Sequence, residues 1–258
     1  MKFDRDKKID LLVVVLVFGF SCMAALLFKW KPLIFALPSL VLPGIYLCLR
    51  EKKNWLKILV AVLIFGTLFG FFFDFLVTFN NGWIMNGLVF QFHLFGFYPL
   101  LDDVLGFMIM TFLVIVFYEH FIDEYRCRHI SSHIWQAIIP AVVVTLLILL
   151  LYKINPDYLH IPYVYLVLGM AAVIRPITLG IKKPRFLSNF LKIGIFFFFI
   201  WLSSELVALA NNSWVFPGQY IGTVHIAGLM FPFEELIFWM LMYAATVTSY
   251  YKCYMDER

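Results

Sequence analysis

The sequence predicts an all-α, polytopic membrane bundle of about eight transmembrane helices, arranged as two parallel four-helix repeats. Three observations predict it. The 258-residue chain is 63% hydrophobic and 14% charged, against about 25% charged in an ordinary soluble domain. Its apolar residues gather into runs of membrane-spanning length, separated by short basic stretches. Two segments roughly 130 residues apart repeat one another and set carboxylates inside apolar sequence.

The expected helices lie at approximately 10–28, 33–49, 56–79, 102–121, 134–152, 158–179, 188–210 and 232–252. The first follows Lys2, Arg5, Lys7 and Lys8, and no convincing cleavage site surrounds Ser21-Cys22, so it reads as an uncleaved membrane helix. Arg50, Lys52 and Lys53 separate the second from the third, which ends at Asn80-Asn81. The fourth opens after Pro99, the fifth after Arg126 and Arg128, and the sixth after Lys153. Lys182, Lys183 and Arg185 precede the seventh, and the eighth begins at Pro232, a residue suited to a helix start. Repeat one is thus 1–130 and repeat two 131–258. With an even number of helices in each, the repeats run parallel, related by an axis along the membrane normal.

Basic residues collect on the cytoplasmic side of membrane proteins. Of the 20 in this chain, only Lys29, Lys31 and Lys153 fall opposite the rest when both termini are placed in the cytoplasm of a cell-membrane protein. The loops at 80–101 and 211–231 then face outward. Each holds an apolar stretch too short to span, at 87–98 and 220–231, expected to be re-entrant or interfacial and to cap a shared cavity. Loops lying flat among the headgroups are the alternative. The net charge of +4 comes from residues in loops and does not imply nucleic acid. Cys22, Cys48, Cys127 and Cys253 lack disulfide or metal spacing.

The repeated motif is where chemistry is expected. The first copy reads Asp74, Asn80-Asn81-Gly82-Trp83, His93, Gly96, Pro99, Asp102-Asp103; the second reads Glu205, Asn211-Asn212-Ser213-Trp214, His225, Gly228, Pro232, Glu234-Glu235. Carboxylates in a first helical turn ordinarily complement the helix dipole and cap free N–H groups. Capping requires neither a pair nor a third acid one helix earlier, and both copies have all three. Adjacent residues on a helix point about 100° apart, so one member of each pair can face inward while the other caps. Grouped, desolvated carboxylates hold a proton, as a general acid must. His93 and His225 are candidates for proton relay or hydrogen bonding, with no second ligand at metal spacing. Asn81 and Asn212 sit where C-caps belong, and Trp83 and Trp214 suit either an interfacial belt or the wall of an aromatic, cation-stabilising pocket.

These residues resemble those of the integral membrane lycopene cyclases, which are built from two small homologous subunits or one fused chain. In that family an acid late in one helix is followed by Trp and then by a Pro-x-Glu-Glu motif opening the next helix. The second copy matches through Glu205, Trp214 and Pro232-Phe233-Glu234-Glu235-Leu236-Ile237-Phe238. The first matches through Asp74, Trp83 and Pro99-Leu100-Leu101-Asp102-Asp103, with one residue inserted and both glutamates replaced by aspartates. The resemblance implies a redox-neutral isomerase that needs no cofactor and cyclises the end group of a linear carotenoid drawn from the lipid phase. Glu234 or Glu235 would donate the proton and Glu205 would be its partner or the base. Asp102, Asp103 and Asp74 would be their counterparts, and Phe238, Trp83, Trp214, His93, His225, Asn81 and Asn212 would line the substrate site. Membrane lipids are the other expected partners, and association into a homo-oligomer is left open.

Two other classes stand beside it. Parallel repeats with intramembrane acids also mark proton-coupled carriers, although the acids lie near one face and no polar path is visible through the cytoplasmic halves. Paired glutamates also occur in membrane-bound prenyl-protein proteases, but this chain lacks the following arginine and later histidine ligands.

Overall fold

The structure, a computed structural model, describes residues 4–50, 54–90, 101–123 and 129–256, apart from the Arg185 side chain. Among these, seven helices are long and apolar enough to cross a membrane: α1 (Arg5–Phe28), α2 (Pro32–Arg50), α3 (Trp55–Phe79), α4 (Leu101–Asp123), α5 (Ser132–Ile154), α6 (Val164–Lys182) and α7 (Phe186–Ala210). The chain is an integral membrane protein of the helical-bundle class.

An eighth helical run, α8, winds through Glu235–Leu241 with π-type turns, breaks at Met242 and continues through Tyr243–Met255. It is more polar than the others because Thr246, Thr248, Ser249 and Lys252 stand along it. Protein rather than lipid surrounds much of it: Ala244, Val247, Thr248, Ser249 and Tyr251 are buried against α4, α6 and α7.

The two halves interlock. α1 packs on α7, and α5 packs on α3, so the first helix of each copy lies against the third helix of the other. Each third helix ends in the same motif. The amides of Asn81 and Gly82 donate to the Thr78 and Val77 carbonyls, and those of Asn212 and Ser213 to Leu209 and Ala208. Asn81 and Asn212 take left-handed backbone, φ 55 and 53°, as the residue after a C-cap does.

The preceding asparagines tie the halves together. Asn80 donates to the carbonyls of Leu76 (2.8 Å) and Leu159 (2.9 Å) and accepts from the Ile161 amide (2.9 Å). Asn211 donates to the carbonyls of Ala25 (3.0 Å) and Trp30 (3.4 Å). Each therefore holds the connection between the first two helices of the opposite copy. Asn80→Ala leaves two carbonyls and one amide without this partner, and is expected to cost about 1–3 kcal/mol. A lowered unfolding midpoint in mild detergent checks this; an unchanged midpoint would show the tether to be dispensable.

Beyond these turns the chain forms short strands, which the all-α expectation did not include. β1 (Ile84–Met85) pairs antiparallel with β2 (Trp214–Val215), with Ile84 opposite Val215. Those two residues follow Asn80 and Asn211 by the same step, so equivalent positions pair, as a twofold axis through the ribbon requires. The pairing also puts both loops on one face of the bundle. β3 (Thr223–Ile226) and β4 (Leu229–Pro232) form a hairpin through Ala227 and Gly228, both at positive φ, the turn chemistry that hairpins favour. The segment 220–231, expected as an apolar stretch that is re-entrant or interfacial, is therefore partly a ribbon with a two-residue period. Thr223 and His225 are exposed, whereas Val224 and Ile226 turn inward. The corresponding segment of the first copy, 91–100, with His93, Gly96 and Pro99, lies outside the described residues.

The face opposite the motif loops carries a buried ionic network, where the sequence showed no polar path through the helix halves. Lys57 and Lys252, counted in the sequence among the loop charges, are buried. Lys57 pairs with Asp256 and lies 3.7 Å from Glu119; Lys252 pairs with Asp123 (2.8 Å) and Asp256. The Tyr251 hydroxyl donates to Glu119. Beside it Asp10 accepts from Tyr46 (2.6 Å) and Arg50 (2.9 Å) and meets His120 at 3.0 Å.

Candidate active site

Near the motif loops, a cavity of about 150 Å³ lies between the two copies. Helices α2, α4, α6, α7 and α8 wall it, and carboxylates from both copies reach it: Asp102 and Asp103 from the first, Glu205 and Glu235 from the second. The repeat thus defines one common chamber rather than two separate ones. Its other walls are overwhelmingly apolar. Trp30, Trp83, Trp201, Trp214 and Trp239 line it, five of the seven tryptophans in the chain. Trp55 and Trp135, the other two, are 66 and 59% exposed, as belt residues are.

The first acid of each pair holds loop amides, although Asp102 also lines the chamber and Glu234 does not. Asp102 accepts from the Val89 amide (2.6 Å) and the Phe90 amide (2.9 Å), and Glu234 from the Ile221 amide (2.7 Å). The first acid of each pair thus anchors the preceding loop, not the free amides of its own helix. Glu234, one of the two glutamates expected as the proton donor, is fully buried and does not line the cavity. One residue on, Asp103 and Glu235 turn toward the chamber.

The earlier acids are held by the tryptophans nine residues later. The indole Nε1 of Trp214 donates to Glu205 at 2.8 Å, and that of Trp83 to Asp74 at 3.1 Å, where the Thr78 hydroxyl also donates (3.2 Å). Glu205 reaches the chamber, but the shorter Asp74 is buried behind it and does not line it.

The sequence reading missed Tyr165. Its hydroxyl donates to Oε2 of Glu235, and its ring packs edge-on against Trp83, with centroids 5.6 Å apart. A signal was present: Pro32 stands three residues before Phe35 as Pro162 stands before Tyr165, and Phe35 and Tyr165 both line the chamber. The second copy therefore gives its inward acid a hydroxyl partner where the first places a bare ring. Asp103 makes no hydrogen bond to a described residue. Tyr220, in the second loop, donates to the Gly82 carbonyl and closes the two loops on each other. Burial, then the nearby Glu235 and Glu234, push its hydroxyl above the ordinary tyrosine range.

The remaining candidates are not at this chamber. Asn81 and Asn212 fill their left-handed turn positions and do not line it. His225 faces outward from β3, because the strand alternation directs Val224 and Ile226 inward instead. Phe238 lies across Trp239 in a neighbouring cavity. His93 is outside the described residues.

No family model matches the chain, and no curated protein or solved structure matches it. Fold and site together define a helical membrane protein with an apolar, tryptophan-lined, carboxylate-bearing chamber between its halves.

Proposed function

We propose that this protein is a membrane-embedded isoprenoid cyclase that acts on the end group of a linear carotenoid without net redox change. The observation that supports it best is the chamber itself: Glu235, Glu205, Asp103 and Asp102 line an apolar space walled by five tryptophans. Glu235, as a carboxylic acid, gives its proton to a terminal alkene carbon. The tertiary cation formed is attacked by the π electrons of a neighbouring double bond, which closes the ring and moves the positive charge into it. Asp103, on the facing copy, takes a proton from the carbon beside that charge and the ring alkene forms. One proton enters and one leaves, so the product is an isomer of the substrate.

The parts suit this sequence. Tyr165 positions Glu235, and Trp214 positions Glu205 next to it. Indole faces stabilise a nearby cation. Loops tied down by Asp102, Glu234 and Tyr220 keep out water, which would otherwise trap the cation as an alcohol. The positive-inside pattern puts the chamber toward the outer leaflet, with both termini in the cytoplasm.

The direct test is co-expression with a pathway that makes lycopene, followed by pigment analysis. Cyclic carotenoids are the expected result; unchanged lycopene beside abundant folded protein would count against a carotenoid substrate. The buried ionic network on the opposite face favours a second reading, a proton-coupled carrier. Substrate-driven proton uptake into proteoliposomes carrying the folded wild-type protein would support it instead.

A further inference from the structure

A second cavity, of about 220 Å³, lies beside the acid chamber and shares Phe107, Tyr165 and Trp239 with it. Rings of α3 and α8, Phe69, Phe72 and Phe238 among them, face Gly169, Ala171 and Ala172 of α6 across it. The small residues make the room: a β-carbon on Gly169 would run into the Phe238 ring. Ala171 is exposed, so the rim reaches the outer surface of the bundle, where lipid lies. No carboxylate of the described residues lines this space. Its lining is mostly aromatic and aliphatic, with Tyr165, Tyr243, Thr246 and Tyr250 as the hydroxyl-bearing residues, and its mouth is lateral.

Size links the two spaces. At about 150 Å³ the acid chamber holds an apolar group of roughly benzene size. That accommodates one end group of a linear isoprenoid and leaves the rest of the chain to lie elsewhere. The aromatic cavity borders the acid chamber at Phe107, Tyr165 and Trp239, which line both.

We propose that the aromatic cavity seats the hydrocarbon arm of the ligand whose end group enters the acid chamber, so that the protein selects long linear chains over short ones. The identity of the end group rests on the cyclase reading; the binding of a long chain does not.

The test uses full-length protein in nanodiscs carrying Glu235→Gln, so that bound substrate stays unreacted. Lycopene and the ten-carbon alkene myrcene are the probes. Ala172→Phe fills the slot. Lycopene affinity is expected to fall at least about tenfold, because several methylene-sized groups lose their burial, while myrcene affinity stays the same. Ala172→Leu gives a smaller loss in the same direction, and decides the matter if the phenylalanine variant elutes as aggregate. Unchanged lycopene affinity, or an equal loss for both probes, would overturn the proposal. Unchanged affinity together with loss of co-purifying phospholipid would assign the slot to a lipid acyl chain. The two readings fail separately. Wild-type protein that binds lycopene in an Ala172-dependent way but never converts it keeps the slot and loses the chemistry. Conversion insensitive to Ala172→Phe does the reverse.

Discussion

Glu235→Gln is expected to lower turnover of a linear carotenoid by at least roughly 10³-fold while leaving the protein folded. Glutamine has nearly the shape of glutamate and still offers an oxygen to the Tyr165 hydroxyl, so the Glu235–Tyr165 contact survives. It has no acidic proton to give to an alkene. The neighbouring Glu234→Gln is expected to behave differently. Its oxygen can still accept from the Ile221 amide, so much of the activity should remain. Pigment analysis of the two variants, at matched levels of monodisperse protein, separates a proton donor from a loop anchor. Equal loss in both would mean that the pair acts as a unit and that the division of work described above is wrong.

Lys57→Met is expected to destabilise the bundle by about 3–5 kcal/mol, the usual result of removing one partner from a buried ion pair. Lys57 is 1% exposed and comes from α3, whereas its partners Asp256 and Glu119 lie at α8 and α4. The network sets Glu119, Asp123 and Asp256 against Lys57 and Lys252, so it already holds more carboxylates than ammonium groups. Loss of Lys57 widens that imbalance. Adding Asp256→Asn to Lys57→Met should recover part of the loss, because the excess negative charge goes with it. Unfolding midpoints in mild detergent report both steps. A single variant as stable as the wild type would show that the network is solvated rather than buried.

Much of the fold was legible because membrane spans announce themselves by length and hydropathy. The ends of α3 and α7 were legible too, since paired asparagines before Gly82 and Ser213 are the chemistry of a helix stop. The strands were harder to read. β1 and β2 are two residues each and exist only because equivalent segments meet across the halves, a long-range fact with no local pattern. The hairpin did carry a local signal, the alternation of Thr223-Val224-His225-Ile226, but its apolar composition reads equally as a buried segment.

At the site, the repeat singled out acids that the structure gathers at or beside one chamber, but not the contacts each of them makes. That Asp102 and Glu234 hold loop amides depends on where residues 89, 90 and 221 return in space. Tyr165 was overlooked because it lies outside the repeated motif, in α6. The ionic network was invisible for a similar reason: lysines at helix ends ordinarily reach water, and only packing of α3, α4 and α8 buries Lys57 and Lys252. The two loops were expected to cap a shared cavity, and the aspartates of the first copy left open whether both halves react. The structure sets carboxylates of both copies around one chamber, with Glu235 held by a tyrosine and Asp103 facing it without a hydrogen-bond partner among the described residues.

That arrangement makes the turnover of Asp103→Asn the most direct test. Asp103 lies in the copy with the weaker motif, and the substitution leaves Glu205, Glu234, Glu235 and Tyr165 in place. One shared chamber predicts that this variant alone loses at least roughly 10²-fold of the cyclisation rate. Two independent sites predict instead that about half the activity survives either substitution and that only the double variant is inactive; that outcome would contradict the account.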